Sequence, residues 1–318
     1  MGADPIAAAL TAIVETMMAI IAIPATMTFK PGDIVQHFKR EMLSDEERAT
    51  NKYLYEIVGL ATHSETREPM MVYRPLYDDG GMYVRPLEMF LSEVDHEKYP
   101  DVKQKYRFEK VLVISVEEMR AADKYTIENG TPSKELMRRA AQGIYDAVDP
   151  DWNDKKTLVV CGSGNNGGDG YALAEILKSQ GHDVTLIRTS EKFSEDGEYY
   201  YNRCKSLGVN EVGVGDCIYT GYDIIVDCIL GTGFSGTPRD DIAAIIEKIN
   251  EAGEDGTFVV SADINSGMNG NTGEAEIAVK GDLTVSIGYY KYGLFRGRSG
   301  ELIGKLVNVD IGITLNQD

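Results

Sequence analysis

The sequence has 318 residues, and its 51 acidic residues outnumber the 32 basic residues, which gives a formal charge of −19. This balance argues against nucleic acid as a main partner, because phosphate binding needs clustered lysine and arginine. With 43% hydrophobic and 26% charged residues, the composition is that of a globular protein, neither disordered nor fibrous. The length predicts about two domains.

The cysteines and histidines indicate neither a metal cluster nor a disulfide framework. Cys161, Cys204, Cys217 and Cys228 are irregularly spaced, form no CxxC pair and have no histidine close by. We therefore expect reduced thiols in a cytoplasmic protein. Cys161 and Cys228 fall in apolar runs typical of strands, which predicts buried structural side chains.

Residues 1–26 form an apolar N-terminal extension. Its core, residues 6–23, contains Glu15 and is preceded by no basic residue. It therefore fits neither a secretory signal nor a membrane-spanning helix, and we expect no membrane insertion. Two interpretations stay open: a packed or frayed helix, and a gene start placed too early, since Met27 opens a more ordinary N-terminus.

Residues 27–108 contain short alternating apolar runs separated by turn residues, which predicts a small β-rich domain. The sequence Asp79-Gly80-Gly81 separates the runs MVYRPLY and MYVRPL and predicts a hairpin turn. The pattern HFKRE, GLATHSETRE and VYRPLYDDGGMYVRPLEMF resembles a small bacterial domain of unknown function, which implies no chemistry. A ligand groove, structural side chains, and a module that binds a protein or peptide are the alternatives; the candidate groove residues are His63, Arg74 and Arg85.

In residues 109–318, strand and helix patterns alternate. Two helical patterns precede the apolar strand TLVVC, which runs into the glycine-rich segment GSGNNGGDG, residues 162–170, and a further helix. Later strand patterns are DVTLI, DIIVDCIL, TFVVSADI, DLTVSIGYY and KLVNVDIGI, with helices between the first three. This alternation predicts a Rossmann-like, doubly wound α/β fold with a mostly parallel sheet and helices on both faces.

The glycine-rich segment between a strand and a helix is a candidate phosphate site, because free N–H groups and the helix dipole point at the same place. Gly162, Gly164 and Gly167 satisfy GxGxxG. However, the second strand does not end in the acidic residue that a nicotinamide dehydrogenase needs. An oxidoreductase is therefore a minor alternative, and a P-loop is excluded because GK[ST] is missing.

Two further polar segments are expected at the same edge of the sheet. Asp227 ends a buried strand ahead of residues 231–237, a second candidate anion cradle. A buried carboxylate is costly unless paired, which indicates a cation or a catalytic proton. Asp263, Asn265 and Ser266 end the next strand and offer oxygen ligands to a hydroxylated ligand or a hard cation. Purely structural roles are the alternative.

The segments GSGNNGGDG, VDCILGTGFSG and ADINSGMNGNTG, in this order and spacing, resemble the NAD(P)H-hydrate epimerase family, whose fold is the YjeF N-terminal domain. The similarity spans roughly residues 115–313. The family interconverts the R and S epimers of hydrated NADH and NADPH in metabolite repair, so that a stereospecific dehydratase can use both. Asn265 stands where the family usually has proline. The chain ends at Asp318, so we expect the dehydratase to be a separate polypeptide.

The resemblance also implies roles for individual residues. Asp227 is the expected acid and base while hydroxide leaves and returns, and Lys192 or a cation would stabilise charge. A potassium ion would be bound by Asn166, Asp227 and Ser266. The substrate would be bound by Asn165, Asn166, Gly167, Gly168, Asp169, Gly231, Thr232, Gly233, Phe234, Ser235, Gly236, Thr237 and Asp263.

The main alternative to an enzyme is a non-catalytic dinucleotide-binding or scaffold protein on the same fold. The family often forms dimers, and the sequence leaves open whether this chain forms a homodimer. It also leaves open the choice between the NADH and NADPH forms and the role of residues 27–108.

Overall fold

The computed structural model describes residues 28–78, 80–148 and 152–316. The apolar N-terminal extension and Asp79, the first residue of the predicted hairpin turn, lie outside the described residues. The chain divides into two compact units between Leu112 and Val113. Within the described ranges, no helix is both long enough and apolar enough to cross a membrane.

The first unit is built on an antiparallel sheet. Its strands are β1 (Ile34–His37), β2 (Leu54–Thr62), β3 (Pro69–Pro75), β4 (Tyr83–Pro86) and β5 (Phe108–Lys110), in the order β4-β3-β2-β1-β5. Short helical segments accompany the sheet: a 3-10 helix (Phe38–Met42), α1 (Asp45–Arg48) and α2 (Leu87–Phe90). The predicted β-rich character is confirmed, and β3 pairs with β4 as the two apolar runs indicated.

The three residues proposed for a ligand groove have local partners in this unit. Arg74 donates a hydrogen bond to Glu56 at 2.7 Å, and Arg85 donates to the hydroxyl of Tyr73 at 3.0 Å. The Nδ1 atom of His63 accepts hydrogen bonds from two nearby backbone N–H groups. These contacts support the structural alternative for each of them.

His37 ends β1 inside an aromatic core. Its ring centroid is 4.9 Å from that of Phe108, and its Nδ1 atom accepts a hydrogen bond from the backbone N–H of Lys39 at 3.3 Å. Burial lowers the pKa of His37 from 6.5 to about 3, and the charges of Arg107, Arg85 and Lys39 contribute to this shift. The folded unit therefore holds the imidazole in its neutral form.

The stability of this unit should fall as the pH falls from 6.5 toward 3, because only the unfolded chain binds a proton at His37 there. Between pH 8 and pH 5 this amounts to about 2 kcal/mol. His37→Asn keeps an acceptor for Lys39 but does not titrate, so it should remove this pH dependence. Urea unfolding followed by circular dichroism at both pH values tests this, with the exposed His63→Asn as control. Equal pH dependence in the wild type and His37→Asn would contradict it.

The second unit contains a seven-stranded parallel sheet. Its strands are β7 (Lys156–Cys161), β8 (Asp183–Arg188), β9 (Asn210–Glu211), β10 (Ile224–Cys228), β11 (Phe258–Ala262), β12 (Gly281–Ile287) and β14 (Ile303–Val309). They lie in the order β14-β12-β11-β10-β7-β8-β9. A separate parallel pair is formed by β6 (Val113–Ile114) and β13 (Tyr290–Lys291). The sequence patterns did not predict β9, which is too short to show a period.

Helices cover both faces of this sheet. They are α3 (Val116–Glu128), α4 (Ser133–Val148), α5 (Asn165–Ser179), α6 (Glu195–Ser206), α7 (Asp240–Glu254) and α8 (Ser299–Leu302), with 3-10 helices at Tyr219–Gly221 and Tyr292–Phe295. Apolar residues of α3 to α6 pack with Val159 and Val226 on one face, and those of α7 pack with Leu158 and Ile225 on the other. The predicted Rossmann-like α/β fold is confirmed, and its buried strands include Cys161 and Cys228.

The strand order reverses beside β7. From β7 the chain continues to β8 and β9 on one side, and it then returns to form β10 on the other side. In open parallel sheets, ligands bind in the crevice that such a reversal leaves at the carboxyl ends of the strands. The segments that follow β7 and β10 therefore lie where a ligand site is expected.

Candidate active site

The glycine-rich segment after β7 is mostly helix. The sequence predicted a loop up to Gly170, but α5 already begins at Asn165. Two glycines allow the backbone segments around this helix start to approach each other closely. A Cβ on Gly162 would lie 1.9 Å from the carbonyl oxygen of Ile229, and a Cβ on Gly167 would lie 2.0 Å from the carbonyl oxygen of Gly162. Only glycine permits these contacts, so the start of α5 and the segment after β10 meet at the end of β7.

The start of α5 is open to an anion. The helix follows Gly164, which has no side chain to cap it, so the N–H groups of the first turn lack a side-chain acceptor. These groups and the positive end of the helix dipole favour a phosphate. Asn166 and Asp169 are three residues apart and lie on the same side of the helix.

A pocket of about 570 Å³ opens at the carboxyl ends of β7 and β10. Residues of α3, α4, the start of α5 and the segment after β10 line it. The pocket brings together these predicted substrate residues: Asn165, Asn166, Asp169, Gly231, Thr232, Gly233, Phe234 and Asp263. Other predicted site residues do not line it: Gly167, Gly168, Lys192, Asp227, Ser235, Gly236, Thr237 and Ser266.

Asp227 is fully buried behind the pocket and surrounded by donors. Its Oδ2 atom accepts hydrogen bonds from the backbone N–H of Ser266 at 2.8 Å and from the hydroxyl of Ser261 at 3.2 Å. Its Oδ1 atom accepts from the hydroxyl of Ser266 at 2.5 Å and from the backbone N–H of Ile229 at 3.2 Å. Burial raises the pKa of Asp227, and these hydrogen bonds oppose the rise. The carboxylate thus connects the segment that follows β10 with β11 and with the segment that follows β11.

Oxygen atoms converge beside this carboxylate. The Nδ2 atom of Asn166 donates to the carbonyl oxygen of Leu230 at 3.1 Å, and the hydroxyl of Ser266 lies 3.2 Å from the same oxygen. The Oδ1 atom of Asn166 is buried and has no hydrogen-bond partner in the described part of the chain. An unpartnered buried oxygen is costly, and a set of oxygen donors with one carboxylate suits a hard cation.

Asp263 and Lys291 form a buried ion pair at the pocket. The Nζ atom of Lys291 donates to Oδ1 of Asp263 and to the carbonyl oxygen of Ile287, the latter at 2.6 Å. The same Oδ1 atom accepts a hydrogen bond from the backbone N–H of Ile287 at 3.1 Å. Asp263 has a φ of +66°, a left-handed conformation that is strained for a residue other than glycine and is concentrated at functional sites.

Two more carboxyl groups line the pocket near this ion pair, Asp123 on α3 and Asp169 on α5. Neither forms a hydrogen bond or an ion pair with the described residues. Burial raises the pKa of Asp123 to about 6, with a contribution from the charge of Asp263, whereas Lys291 opposes the rise. Burial likewise raises the pKa of Asp169 well above its usual range, reinforced by the other two carboxylates. Asp123 and Asp169 therefore hold a proton to higher pH than ordinary carboxyl groups do.

The sequence-based prediction missed four charged pocket residues, Arg120, Asp123, Asp196 and Lys291. Asp123 lies four residues after Met119, on the buried stripe of α3, and Lys291 interrupts the apolar run YYKYGLF. A charged residue among buried apolar positions was the available signal in both cases. Arg120 is exposed, and its Nη2 atom lies 3.4 Å from the place that a Cβ on Gly233 would occupy.

Lys192, the predicted site lysine, is exposed in the segment after β8, where its backbone N–H donates to the hydroxyl of Ser190. The lysine that lines the pocket is Lys291. Lys192 and Asp227 are therefore not brought together at the pocket.

Asn265, where the resemblance led us to expect proline, is fully buried. Its Nδ2 atom donates to the carbonyl oxygens of Val279 at 3.0 Å and Leu302 at 2.9 Å. Its Oδ1 atom accepts a hydrogen bond from the hydroxyl of Thr284 at 2.7 Å. The side chain therefore fixes the turn after β11 by hydrogen bonds instead of by the ring of a proline.

This sheet order, the glycine-assisted helix start and the polar pocket at the strand reversal define a Rossmann-like nucleotide-binding domain. A family model described as YjeF-related protein N-terminus matches residues 133–293. The chain belongs to this family. A second model, described as a protein of unknown function (DUF1653), matches residues 33–110.

Similar proteins include the NAD(P)H-hydrate epimerase of Oenococcus oeni, 35% identical over 208 residues, which cover 64% of this chain and 97% of that protein. The NAD(P)H-hydrate epimerase of Limosilactobacillus fermentum is 34% identical over 62% of this chain and 95% of its own length. The bifunctional NAD(P)H-hydrate repair enzyme of Methanopyrus kandleri is 33% identical over 58% of this chain, which spans only 38% of that protein.

The crystal structure of yeast ynu0, YNL200c, has the same fold as the second unit. It aligns with a TM-score of 0.54 and 21% identity, and the alignment covers 62% of this chain and 87% of the yeast chain.

Asp227→Asn would place an amide NH2 group among four donors. We expect it to lower the free energy of unfolding by about 2–3 kcal/mol, because at least one buried donor loses its acceptor. Asp241→Asn, an exposed change at the start of α7, is the control and should cost less than about 0.5 kcal/mol. Thermal or urea unfolding measures both. An unchanged midpoint in Asp227→Asn would show that the connection between the segments after β10 and β11 does not depend on the carboxylate.

Proposed function

We propose that this protein epimerises hydrated NADH and NADPH, interconverting their R and S forms for the repair of nicotinamide nucleotides. The observation that carries the proposal is the combination, in one pocket, of an uncapped helix start with two unpaired carboxyl groups whose pKa values are raised by burial. The similarity to proteins named NAD(P)H-hydrate epimerase over nearly their whole length supports the same activity.

The chemistry requires acid and base but no redox step. The carbon that is inverted carries both a hydroxyl group and the ring nitrogen. An acid protonates the departing oxygen, the nitrogen lone pair stabilises the resulting iminium-like species, and a base accepts a proton from the returning water. The assignment of Asp227 and Lys192 to these steps stays a prediction, whereas Asp123 and Asp169 line the pocket itself.

An acidic chain can bind this polyanionic substrate because the pocket offers backbone donors and one unpaired basic side chain to the phosphates. The N–H groups at the start of α5 and in the segment after β10 offer donors to phosphate oxygens. Among the described residues that line the pocket, Lys291 is paired with Asp263, whereas Arg120 forms no ion pair or hydrogen bond. Arg120 is therefore the side chain best placed to pair with a substrate phosphate.

We further infer that a potassium ion is bound by Asn166, Asp227 and Ser266. The support is the buried, unpartnered Oδ1 atom of Asn166, whose Nδ2 atom shares the carbonyl oxygen of Leu230 with the hydroxyl of Ser266, itself bonded to Asp227. When bound, the ion supplies a fixed positive charge close to the start of α5. A separate NAD(P)H-hydrate dehydratase that consumes the S epimer, a homodimer and a cytoplasmic location also stay predictions.

Potassium chloride should raise the melting temperature of the protein by about 2–4 °C over choline chloride of equal ionic strength, because a cation bound only by the folded state stabilises it. Ser266→Ala removes one oxygen donor and should abolish this difference. Ser206→Ala, on the exposed end of α6, is the matched control and should retain it. Equal melting temperatures of the wild type in the two salts would argue against the ion.

The proposed activity is tested with the purified R epimer of hydrated NADH, by following the S epimer with chromatography. We expect equilibration far faster than the spontaneous reaction. Binding of ADP-ribose, measured by calorimetry in parallel, separates the alternatives: binding without acceleration would indicate a dinucleotide-binding scaffold. An absorbance change with reduced cofactor would instead support an oxidoreductase.

A further inference from the structure

Inversion at a single carbon sets a geometric condition on the proposed reaction. The hydroxyl group leaves from one face of the substrate ring, and water must add to the other face. A carboxyl group fixed on one side of the ring reaches only one of these oxygens, so two acid-base groups on different walls of the pocket are needed.

Four carboxyl groups line the pocket and are the candidates for this role. The titratable and charged residues that line it are Arg120, Asp123, Asp169, Asp196, Asp263 and Lys291. Asp263 is held by Lys291 and by the backbone of Ile287. Asp196 lines the pocket from the first turn of α6, and it is not among the charges that act on Asp123 and Asp169.

Asp123 and Asp169 differ from Asp263 in having no partner, and they differ from Asp196 in lying within range of the charges of Asp263 and Lys291. They come from separate elements, α3 and α5, and both line the pocket, where the charge of Asp123 acts on Asp169. Neither has a hydrogen-bond or ion-pair partner among the described residues, so both carboxyl groups are available to a ligand. Burial raises the pKa of both groups, and the charge of Asp123 adds to the rise at Asp169, which favours a state in which one group is protonated and the other is ionised.

We propose that Asp123 and Asp169 are the two catalytic acid-base residues of the epimerisation and act on opposite faces of the substrate ring; this inference rests on the proposed function. In one direction, protonated Asp169 gives its proton to the hydroxyl oxygen. The C–O bond breaks with its electron pair on oxygen, water leaves, and the nitrogen lone pair forms the C=N bond.

Water then attacks the same carbon from the other face. The C=N electron pair returns to nitrogen, a new C–O bond forms, and the proton released by the water passes to ionised Asp123. Overall, one water leaves and one enters, no electrons are lost or gained, and the proton has moved from Asp169 to Asp123. The enzyme is then poised for the reverse reaction, or it is reset by proton exchange with solvent.

The test follows oxygen exchange and inversion separately. Each purified epimer is incubated in water enriched in heavy oxygen with the wild type, Asp123→Asn or Asp169→Asn, and products are analysed by chiral chromatography and mass spectrometry. Each variant should invert at least about 100-fold more slowly. Each should still exchange the hydroxyl oxygen of one epimer with retention, because the remaining carboxyl group can expel and return water on its own face. The two variants should do so with opposite epimers.

Controls separate this result from loss of structure. Asp146→Asn, an exposed change on α4, should invert and exchange like the wild type. Binding of ADP-ribose confirms that each variant is folded. If a variant does not fold, the corresponding change to alanine is used, and added formate should restore inversion by replacing the missing carboxyl group.

The outcomes distinguish this inference from the function on which it rests. If the wild type inverts the substrate, two results would overturn the assignment of the two residues alone. One is a variant that still inverts the substrate, and the other is a variant that exchanges the hydroxyl oxygen of both epimers or of neither. A wild type that does not invert would overturn the proposed function and the assignment with it.

Discussion

The buried carboxylate of Asp227 is the interaction on which the geometry of the site depends. Its hydrogen bonds join the segment after β10 to β11 and to the turn that contains Ser266. The same turn and segment place the carbonyl oxygen of Leu230 beside Asn166 on α5. A charge without access to water is costly unless every donor around it is used, so this arrangement tolerates little movement. The rigidity of the pocket edge is therefore a consequence of a charge that lies behind the pocket.

The sequence predicted the fold well because burial leaves a clear pattern. Strands covered on both faces appear as continuous apolar runs such as TLVVC, and their polar ends mark the edge where ligands bind. The two-residue strands β6, β9 and β13 are too short to show such a pattern. The start of α5 was misplaced because NNGGDG has low helix propensity, whereas the close contacts of Gly162 and Gly167 fix the backbone there.

The site itself was only partly predictable. Glycine-rich motifs indicated which segments reach the pocket, and Asp169 and Asp263 were found in this way. Motifs did not show which side chains face the ligand: Asp227 faces inward, and Lys192 lies in solvent. Asp123 and Lys291 come from distant parts of the chain and meet near Asp263 only after folding. Contacts between residues so far apart in the chain depend on tertiary packing, which a local sequence pattern does not encode.

The exposed arginine at the pocket has a consequence for how a ligand arrives. Arg120 offers one positive charge on a protein whose formal charge is −19, so a polyanion approaches against the overall field and is attracted only at short range. Salt screens the long-range repulsion more strongly than the close attraction. Association of the substrate with the pocket should consequently become faster as ionic strength rises. Electrostatically steered enzymes behave in the opposite way. The salts of a cell would therefore favour capture of the substrate.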